Sequence, residues 1–218
     1  MNCLLIAATA KEIAPFLHDF RHNNKLARTN TGIDVLITGI GLTATSYHLT
    51  KQISLKRPDL VIQAGVAGCF NKQLSLGTVV VVKQDSIADE SVVELKKLRT
   101  LFDLKLLPQN RYPFKKGWLV NSNTTLMKKN KLEAVKGISV NQITGSRQMI
   151  RFYQERFDPV IESMEGAAMH YVCLMEKIPF LQIRSVSNYI GERNKKNWNM
   201  KESINNLNTE LIKLISKI

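Results

Sequence analysis

Short apolar runs alternate with segments of helical spacing along most of this 218-residue chain. Such alternation is typical of an α/β fold, in which helices connect the strands of a mostly parallel sheet. Strands are predicted at residues 2–8, 34–38, 60–64, 78–83, 138–143, 160–162 and 180–186. Helices are predicted at residues 11–20, 42–53, 164–176 and 200–218, and Ser146 is predicted to cap another that runs through Arg156. No Pro/Gly/Ser-rich linker interrupts the series, so residues 1–218 are expected to form a single domain.

Residues 86–120 depart from this alternation. Pro108 and Pro113 stand among several charged residues there, which predicts a long connection carrying one short helix. Ligands of α/β folds bind beside the carboxyl ends of strands. Several polar or permissive positions lie at or just after such ends: Glu12, residues 65–68, Ile143, Glu165 and Asn188. A single binding site at one edge of the sheet is therefore expected.

The charge balance is strongly basic. Thirty-one Lys and Arg residues against eighteen Asp and Glu residues give a net charge of +13. The basic residues are spread over polar segments without the interleaved aromatic residues of a base-stacking surface. Solvated surface is therefore favoured over nucleic-acid binding, and a field that attracts an anionic substrate fits the charge equally well.

The cysteine, histidine and hydropathy patterns indicate the cellular compartment of the protein and whether it binds a metal or a membrane. Cys3, Cys69 and Cys173 are widely spaced among apolar neighbours, which predicts buried free thiols in a reducing compartment. The four histidines show no metal-ligand spacing, so no metal is expected. No apolar run approaches the ~20 residues of a membrane span, and the start of the chain does not look like a signal peptide. We therefore expect the protein to be cytoplasmic and not to contact a membrane.

Two short segments suggest the chemistry. In residues 160–168, Glu165 follows Met164 where an apolar strand meets a helix of small residues. About twenty residues later, Asn188 ends the run Arg-Ser-Val-Ser-Asn. A carboxylate can accept from ribose hydroxyls and an amide can hydrogen-bond a purine edge, which indicates a nucleoside-cleaving enzyme. The simpler alternatives are compensation of a helix dipole by Glu165, and by Glu12 in the first turn of helix 11–20, with Asn188 as a cap or turn residue.

Neither glycine-containing turn predicts a cofactor site. Gly39-Ile40-Gly41 precedes a helix but lacks the third glycine of a dinucleotide-binding fingerprint. Gly65-Val66-Ala67-Gly68 lacks the Lys-Ser/Thr pair of a P-loop. Its backbone would let a planar ring lie against the turn, so Gly65 and Val66 are candidate substrate contacts.

Five motifs occur in a recognisable order and spacing. They are Ala7-Ala8-Thr9-Ala10-Lys11-Glu12, Thr38-Gly39-Ile40-Gly41, Gln63-Ala64-Gly65-Val66-Ala67-Gly68, Glu162-Ser163-Met164-Glu165-Gly166-Ala167-Ala168 and Arg184-Ser185-Val186-Ser187-Asn188. Together they resemble the purine nucleoside phosphorylase and nucleosidase superfamily, with residues 86–135 unmatched. The resemblance implies a three-layer α/β/α fold with a central mixed, mostly parallel twisted sheet. It also implies no cofactor, and a homodimer or larger homo-oligomer whose partner subunit completes the pocket for the substrate tail.

Within that superfamily the chain resembles the futalosine hydrolases of the alternative menaquinone pathway, in the segment Ser163 to Ala168 and in the run from Arg184 to Arg193 with Trp198. Methylthioadenosine/S-adenosylhomocysteine nucleosidases carry an aspartate where this chain has Asn188. A carboxylate would face the lone pair of a C6 carbonyl, whereas an amide can donate to that oxygen or to N7. Asn188 therefore favours a 6-oxopurine such as hypoxanthine as the released base.

The nucleophile is expected to be water. Phosphorylases of the superfamily hold phosphate with arginines and a serine, but the matching positions here are Gln63 and Val66, and residues 8–11 contain no arginine. A phosphate dianion without a bidentate partner would be poorly held. Glu12 matches the carboxylate with which the nucleosidases orient and deprotonate water.

The resemblance implies a role for each remaining candidate. Glu165 binds the ribose and stabilises the oxocarbenium-like sugar, Met164 packs on the ribose, and Asn188 stabilises the departing base. The backbone at Ile143, with Gln142 beside it, is expected to contact the edge or face of the base. Charge alone suggests that a basic residue such as Arg193 or Lys195 meets the benzoate of futalosine.

Two positions leave alternatives open. Ser163 replaces an acid of other nucleosidases, which puts its ribose contact in question, and Arg184 is either a catalytic group or a buried partner of an acid. The competing functions are an adenine-directed nucleosidase, and a non-catalytic protein that binds nucleosides or nucleic acid. Retention of both Glu12 and Glu165 argues against the second, because a binding protein needs no acid to activate water.

Overall fold

The computed structural model describes residues 1–22, 32–129 and 131–218. The strands are β1 (Asn2–Ala7), β2 (Gly32–Ile37), β3 (Leu60–Cys69), β4 (Val79–Asp85), β5 (Ser91–Glu94), β6 (Lys97–Thr100), β7 (Phe114–Lys115), β8 (Trp118–Val120), β9 (Glu133–Ser139), β10 (Ile161–Ser163) and β11 (Phe180–Tyr189). The helices are α1 (Ala14–His22), α2 (Leu42–Leu55), α3 (Thr124–Lys129), α4 (Arg147–Phe157), α5 (Gly166–Met175) and α6 (Met200–Ile215), with a 3-10 turn at Lys195–Asn197.

Within these described ranges, nine strands form one mixed sheet, and five of them close into a ring. The ring runs β3–β11–β4–β9–β10 and returns to β3, because β3 pairs with β11 along one edge and with β10 at its far end. β1 and β2 extend the sheet from β3, and β8 and β7 extend it from β4. The pairs β1–β2, β1–β3, β3–β11, β4–β9 and β9–β10 are parallel. Closure brings the carboxyl ends of β3, β10 and β11 together.

Helices cover both faces of the sheet, as the alternating side chains of β1 require. Cys3 and Leu5 point to a core that includes Phe16 of α1 and Leu211 of α6. Leu4 and Ile6 point to the opposite core, built with residues of α2 and α5. β1 is therefore apolar on both faces, which gives the continuous hydrophobic run expected of a buried parallel strand. The predicted three-layer α/β/α architecture is confirmed.

Two sequence predictions were wrong at the boundaries of β3 and β9. Residues 65–68 were predicted as a turn, but β3 continues to Cys69 because both of its edges find partners, β11 on one side and β10 on the other. β9 covers Glu133–Ser139 rather than residues 138–143, so Ile143 lies in the connection that follows this strand. The Ser146 cap was predicted correctly, since its side chain accepts from the Met149 N–H at 3.1 Å.

The segment 86–120 was also predicted wrongly, since the structure places short strands there and no helix. β5 and β6 pair through a two-residue turn in which Leu95 and Lys96 have φ of 49° and 61°. Positive φ at both central residues is the geometry of a type I′ hairpin. Because neither residue is Gly, Asn or Asp, the sequence carried no conventional sign of this turn.

Other expectations concern the chain as a whole. Cys3, Cys69 and Cys173 are buried free thiols, as predicted. Within residues 1–22, 32–129 and 131–218, no helix combines the length and apolar character needed to cross a bilayer.

Candidate active site

A cavity of about 320 Å³ opens at the carboxyl ends of β1, β3, β10 and β11. Its wall is mostly apolar, with three carboxylates and an amide among the polar groups. Seven of the residues predicted from the sequence line it: Glu12, Val66, Ile143, Ser163, Met164, Glu165 and Asn188. The expectation that distant motifs meet at one edge of the sheet is thus met.

Glu12 is held as a fixed acceptor at the cavity wall. It lies in the turn that precedes α1, not in the first helical turn, so dipole compensation inside that helix does not explain it. One carboxylate oxygen accepts from the Val66 N–H at 3.1 Å. The other accepts from the N–H and hydroxyl of Thr9 at 3.0 and 3.1 Å. The side chain is 9% exposed, so the carboxylate meets the cavity rather than bulk solvent.

Glu165 occupies the N-cap position of α5 and is 5% exposed. Its Oε1 accepts from the Gly41 N–H at 3.2 Å, and its Oε2 lies 3.4 Å from Nη1 of Arg184. Burial raises the pKa of the Glu165 carboxyl, Arg184 and the Gly41 N–H oppose this, and the charge of Glu12 raises it further. Arg184 is thus a buried partner of an acid, one of its two predicted roles.

Gly65 keeps the space between these groups open but does not line the cavity. A Cβ at this position would lie 2.4 Å from Nη1 of Arg184 and 2.9 Å from Oε1 of Glu12. Glycine is therefore required for close approach and not for a turn, because Gly65 lies within β3. Gly65 was predicted to contact the substrate directly, but in the structure it instead allows Arg184 and Glu12 to approach each other closely.

Asn188 is oriented by its neighbours. Its Oδ1 accepts from the Ser187 hydroxyl at 2.9 Å, and its Nδ2 donates to the Tyr189 carbonyl at 3.2 Å. The register of β11 against β3 shifts between Val186 and Asn188, which marks an irregularity at this strand end. Such irregularities re-aim side chains near binding sites.

Besides Gly65, three residues predicted to contact the substrate do not line the cavity. Gln142 is exposed, and its N–H donates to Oδ2 of Asp89 at 3.3 Å. Arg193 is exposed as well and does not line the cavity, and neither does Lys195 of the 3-10 turn. Charge and sequence proximity alone suggested these basic residues, and proximity along a loop does not fix the direction of a long side chain.

Ser163 lines the cavity, but its hydroxyl is engaged within the protein. It accepts from the Gly166 N–H at 3.2 Å and lies 3.2 Å from the hydroxyl of Ser139. The adjacent acid, Glu162, was missed as a site residue although it also lines the cavity. Its carboxylate accepts from the N–H of Thr144 at 3.0 Å and from the Thr144 hydroxyl, which anchors the connection bearing Ile143. Burial raises the pKa of Glu162.

Further lining residues were not identified as site residues from the sequence. They are Ala8, Thr9, Ile40, Ala67, Gly68, Ser187, Ile190, Trp198 and Met200. Several of these residues belong to the five motifs quoted above, and membership of a motif was the one feature of the sequence that could have indicated that they line the site. Met200 had none, because the start of a C-terminal helix gives no sign of which residue turns toward a cavity.

The cavity has no basic residue in its wall among the parts of the chain that the structure covers. Arg184 is the nearest buried cation, and its Nη1 is committed to Glu165 and to the Val66 carbonyl. Across the same ranges, no group of three His, Cys, Asp or Glu side chains could hold a metal ion. The cavity wall contains the carboxylates of Glu12, Glu162 and Glu165 and the amide of Asn188, which suits acid–base chemistry and stabilisation of positive charge.

Comparison with known proteins identifies the family. A model of the phosphorylase superfamily matches residues 5–218. A 5'-methylthioadenosine/S-adenosylhomocysteine nucleosidase of Haemophilus ducreyi is 28% identical over 72% of this chain and 68% of its own length. A futalosine hydrolase of Thermus thermophilus is 26% identical over 98% of this chain and 95% of its own length. The crystal structure of the Helicobacter pylori 5'-methylthioadenosine/S-adenosylhomocysteine nucleosidase with butyl-thio-DADMe-Immucillin-A matches with a TM-score of 0.81 at 21% identity, covering 100% of this chain and 99% of that one.

Proposed function

The chain belongs to the phosphorylase superfamily, and from that membership we propose that it is a single-domain purine nucleosidase, which hydrolyses the N-glycosidic bond of a purine nucleoside. The observation that carries the proposal is the convergence of Glu12, Glu165 and Asn188 on one cavity, although they lie far apart in the chain. The relatives described above are named as nucleosidases or as a futalosine hydrolase, which supports the same reaction class.

Glu165 and Met164 hold the sugar in this proposal. The Glu165 carboxylate accepts from the ribose hydroxyls while Met164 packs on the ring. The guanidinium of Arg184 lies against the same carboxylate and favours its charged form, which opposes the rise in the pKa of Glu165 that burial causes. As the glycosidic bond breaks, the sugar gains oxocarbenium character, and a preorganised negative charge stabilises it.

Glu12 activates the water. Its two oxygens are fixed by Thr9 and Val66, so the carboxylate is oriented before substrate arrives. General-base catalysis by such a group contributes about 10²–10⁴-fold to rate. Phosphate is disfavoured as nucleophile because the cavity wall contains no Lys or Arg within the described ranges.

Asn188 selects the leaving base. An amide nitrogen carries two N–H groups, and one of them donates to the Tyr189 carbonyl. The other is available to N7 or to a C6 carbonyl oxygen as negative charge builds on the departing ring. This chemistry favours hypoxanthine over adenine, and we propose futalosine as the substrate, cleaved to hypoxanthine and dehypoxanthine futalosine.

The test is a substrate panel. Futalosine, methylthioadenosine and inosine are incubated with the enzyme, with and without phosphate, and the free base is followed by chromatography. We expect hypoxanthine from futalosine at the highest kcat/KM, independent of phosphate. Preferential release of adenine would overturn the Asn188 argument in favour of an adenine-directed nucleosidase. A strict phosphate requirement would overturn hydrolysis, and binding without release of any base would indicate a non-catalytic nucleoside-binding protein.

We also propose a homodimer or larger homo-oligomer. Four large apolar side chains are 40–61% exposed on α2, on α5 and just before α2: Ile40, Tyr47, Tyr171 and Met175. α2 and α5 pack on the same core, so these side chains share one side of the molecule. Light scattering of the purified protein measures the mass, and a monomer at micromolar concentration would contradict the proposal.

A further inference from the structure

A buried chain of hydrogen bonds lies behind the cavity and begins at Asp85. Asp85, Ser139 and Ser163 are the last residues of β4, β9 and β10, which are neighbours in the sheet. The Ser139 hydroxyl donates to Oδ1 of Asp85 at 3.0 Å and lies 3.2 Å from the hydroxyl of Ser163. All three side chains are at most 5% exposed.

This chain reaches the backbone beside Glu165. The Gly166 N–H donates to the Ser163 hydroxyl at 3.2 Å, and the Ala167 N–H donates to the Ser139 hydroxyl at 2.8 Å. Both N–H groups belong to the first turn of α5, whose N-cap residue is Glu165. Asp85 therefore holds the backbone that carries Glu165, through one or two serine hydroxyls.

A second series of buried hydrogen bonds also begins at Asp85 and ends at the side chain of Glu165. In the amide orientation that satisfies its neighbours, Gln182 donates to Oδ2 of Asp85 at 3.2 Å and to Nε2 of His170 at 2.8 Å. The Gln182 carbonyl oxygen accepts from Nε of Arg184 at 3.2 Å. Arg184 then reaches Oε2 of Glu165 with Nη1 at 3.4 Å. His170, Gln182 and Asp85 are 0% exposed, so water does not compete for these contacts.

The two series of hydrogen bonds lie close against α5, with no space for an additional side-chain atom at its start. A Cβ at Gly166 would lie 2.2 Å from Oδ2 of Asp85 and 2.2 Å from the terminal amide atom of Gln182 that is the carbonyl oxygen in this orientation. The residue after Glu165 must therefore be glycine for the network to form. This explains the Glu-Gly pair of the motif by contacts on the side away from the cavity.

We propose that Asp85 is a positioning residue for Glu165, holding the helix start through Ser139 and Ser163 and the carboxylate through Gln182 and Arg184. This inference rests on the proposed function, in which Glu165 binds the sugar. An ionised carboxylate only accepts hydrogen bonds, and the Ser139 hydroxyl, the Gln182 amide and the backbone N–H of Ser86 all donate to Asp85. An amide at position 85 would turn one N–H group toward a donor, so the isosteric change Asp85→Asn breaks the network without changing its volume.

The experiment compares Asp85→Asn with Asn121→Asp. Asn121 is also buried, and its amide donates to the Phe180 carbonyl at 2.7 Å, away from the cavity. The probes are nucleoside hydrolysis, a nucleoside analogue with a cationic nitrogen in its sugar ring, and free hypoxanthine. For Asp85→Asn we expect kcat to fall about 10–100-fold, as displacement of a binding group by up to ~1 Å predicts. The cationic analogue should bind at least about tenfold more weakly, with hypoxanthine affinity unchanged within about twofold.

Each outcome decides the question. Equal loss of affinity for the analogue and for hypoxanthine, or changes no larger than those of Asn121→Asp, would overturn the positioning role. If Asp85→Asn does not fold, Ser139→Ala and Gln182→Met each cut one of the two chains and are judged by the same selective loss. Failure of the wild-type enzyme to release any base would instead count against the proposed function, and the binding comparison would still decide the positioning role.

Discussion

Arg184 and Glu165 form an ion pair in the interior, with Nη1 and Oε2 3.4 Å apart and side chains that are 2% and 6% exposed. Removing charges from water is costly, and such pairs persist where further hydrogen bonds compensate. Here Gly41, Val66 and Gln182 provide them. Arg184 offsets the charge of Glu165, and the carboxylates of Glu12 and Glu162 also line the cavity, which suits a sugar that becomes cationic in the transition state.

Glu12→Gln is expected to lower kcat about 10²–10⁴-fold while the protein remains folded. The amide keeps the shape of the carboxylate but cannot take a proton from water, and its N–H groups would face the donors of Thr9 or Val66. Initial rates and thermal unfolding are measured together. Glu155→Gln, at an exposed pair with Arg151, is the matched control and should retain full activity. A Glu12→Gln enzyme within tenfold of wild type would remove Glu12 from the mechanism.

Gly65→Ala is expected to reduce kcat/KM by about 10²-fold or more, because its Cβ would meet both Arg184 and Glu12. The displacement affects the two acids at once, so sugar binding and water activation are both impaired. Gly145→Ala is the control, since a Cβ there meets nothing within 4 Å and the residue has no positive φ. That variant should keep its activity and gain up to about 1 kcal/mol of stability. Equal kinetics for both variants would contradict the spacing role of Gly65.

The layered fold was predictable because β1 buries both of its faces and the helices follow it at regular intervals. Alternation of Leu4 with Leu5 toward opposite cores is a local property that the sequence displays directly. The closed ring is not local. It depends on β10 pairing with the last residues of β3, a contact between residues about ninety positions apart. No pattern within either strand specifies that partner, so residues 65–68 were taken for a turn.

The meeting of Glu12, Glu165 and Asn188 at one cavity could be predicted because each belongs to a recognisable motif and lies at or just after a strand end. Asp85 could not be identified this way, because an acid at a strand end is ordinary in a sequence and becomes informative only with Gln182 against it. Glu162 was overlooked for a related reason. Successive strand residues point to opposite faces, and the hydrogen bond that Thr144 donates to Glu162 becomes visible only in three dimensions.

Asn188→Asp is expected to shift base preference toward 6-aminopurines. An ionised carboxylate would face the C6 oxygen of hypoxanthine, whereas a protonated acid could donate to N7 of adenine. The ratio of kcat/KM for futalosine to that for methylthioadenosine should fall by about 10²-fold or more. Asn194→Asp is the control, because Asn194 is exposed in the same part of the chain and does not line the cavity. An unchanged ratio would show that Asn188 does not read the base.

The buried network also predicts the pH dependence of stability. Burial raises the pKa of Asp85 from 3.8 to about 6, against the hydrogen bond from Ser139 and the charge of Arg184. Burial lowers the pKa of His170 from 6.5 to about 4. Between pH 4 and 6 the folded protein binds more protons at Asp85 and fewer at His170 than the unfolded chain does. The two contributions to the pH slope therefore oppose each other in the wild-type protein.

Asp85→Asn removes one of these contributions and leaves the other. In the wild-type protein the contribution of Asp85 to stability falls as pH rises from about 4 to 6, because the pKa of Asp85 is higher in the folded protein than in the unfolded chain. The Asp85→Asn variant does not show this fall. His170 then acts alone, and its contribution grows as pH rises through the same window. Relative to wild type, the free energy of unfolding of the variant should increase by roughly 2–3 kcal/mol between pH 4 and pH 6.5. Urea denaturation followed by circular dichroism at several pH values measures this difference. Parallel curves for the two proteins would show that Asp85 titrates normally in the folded state.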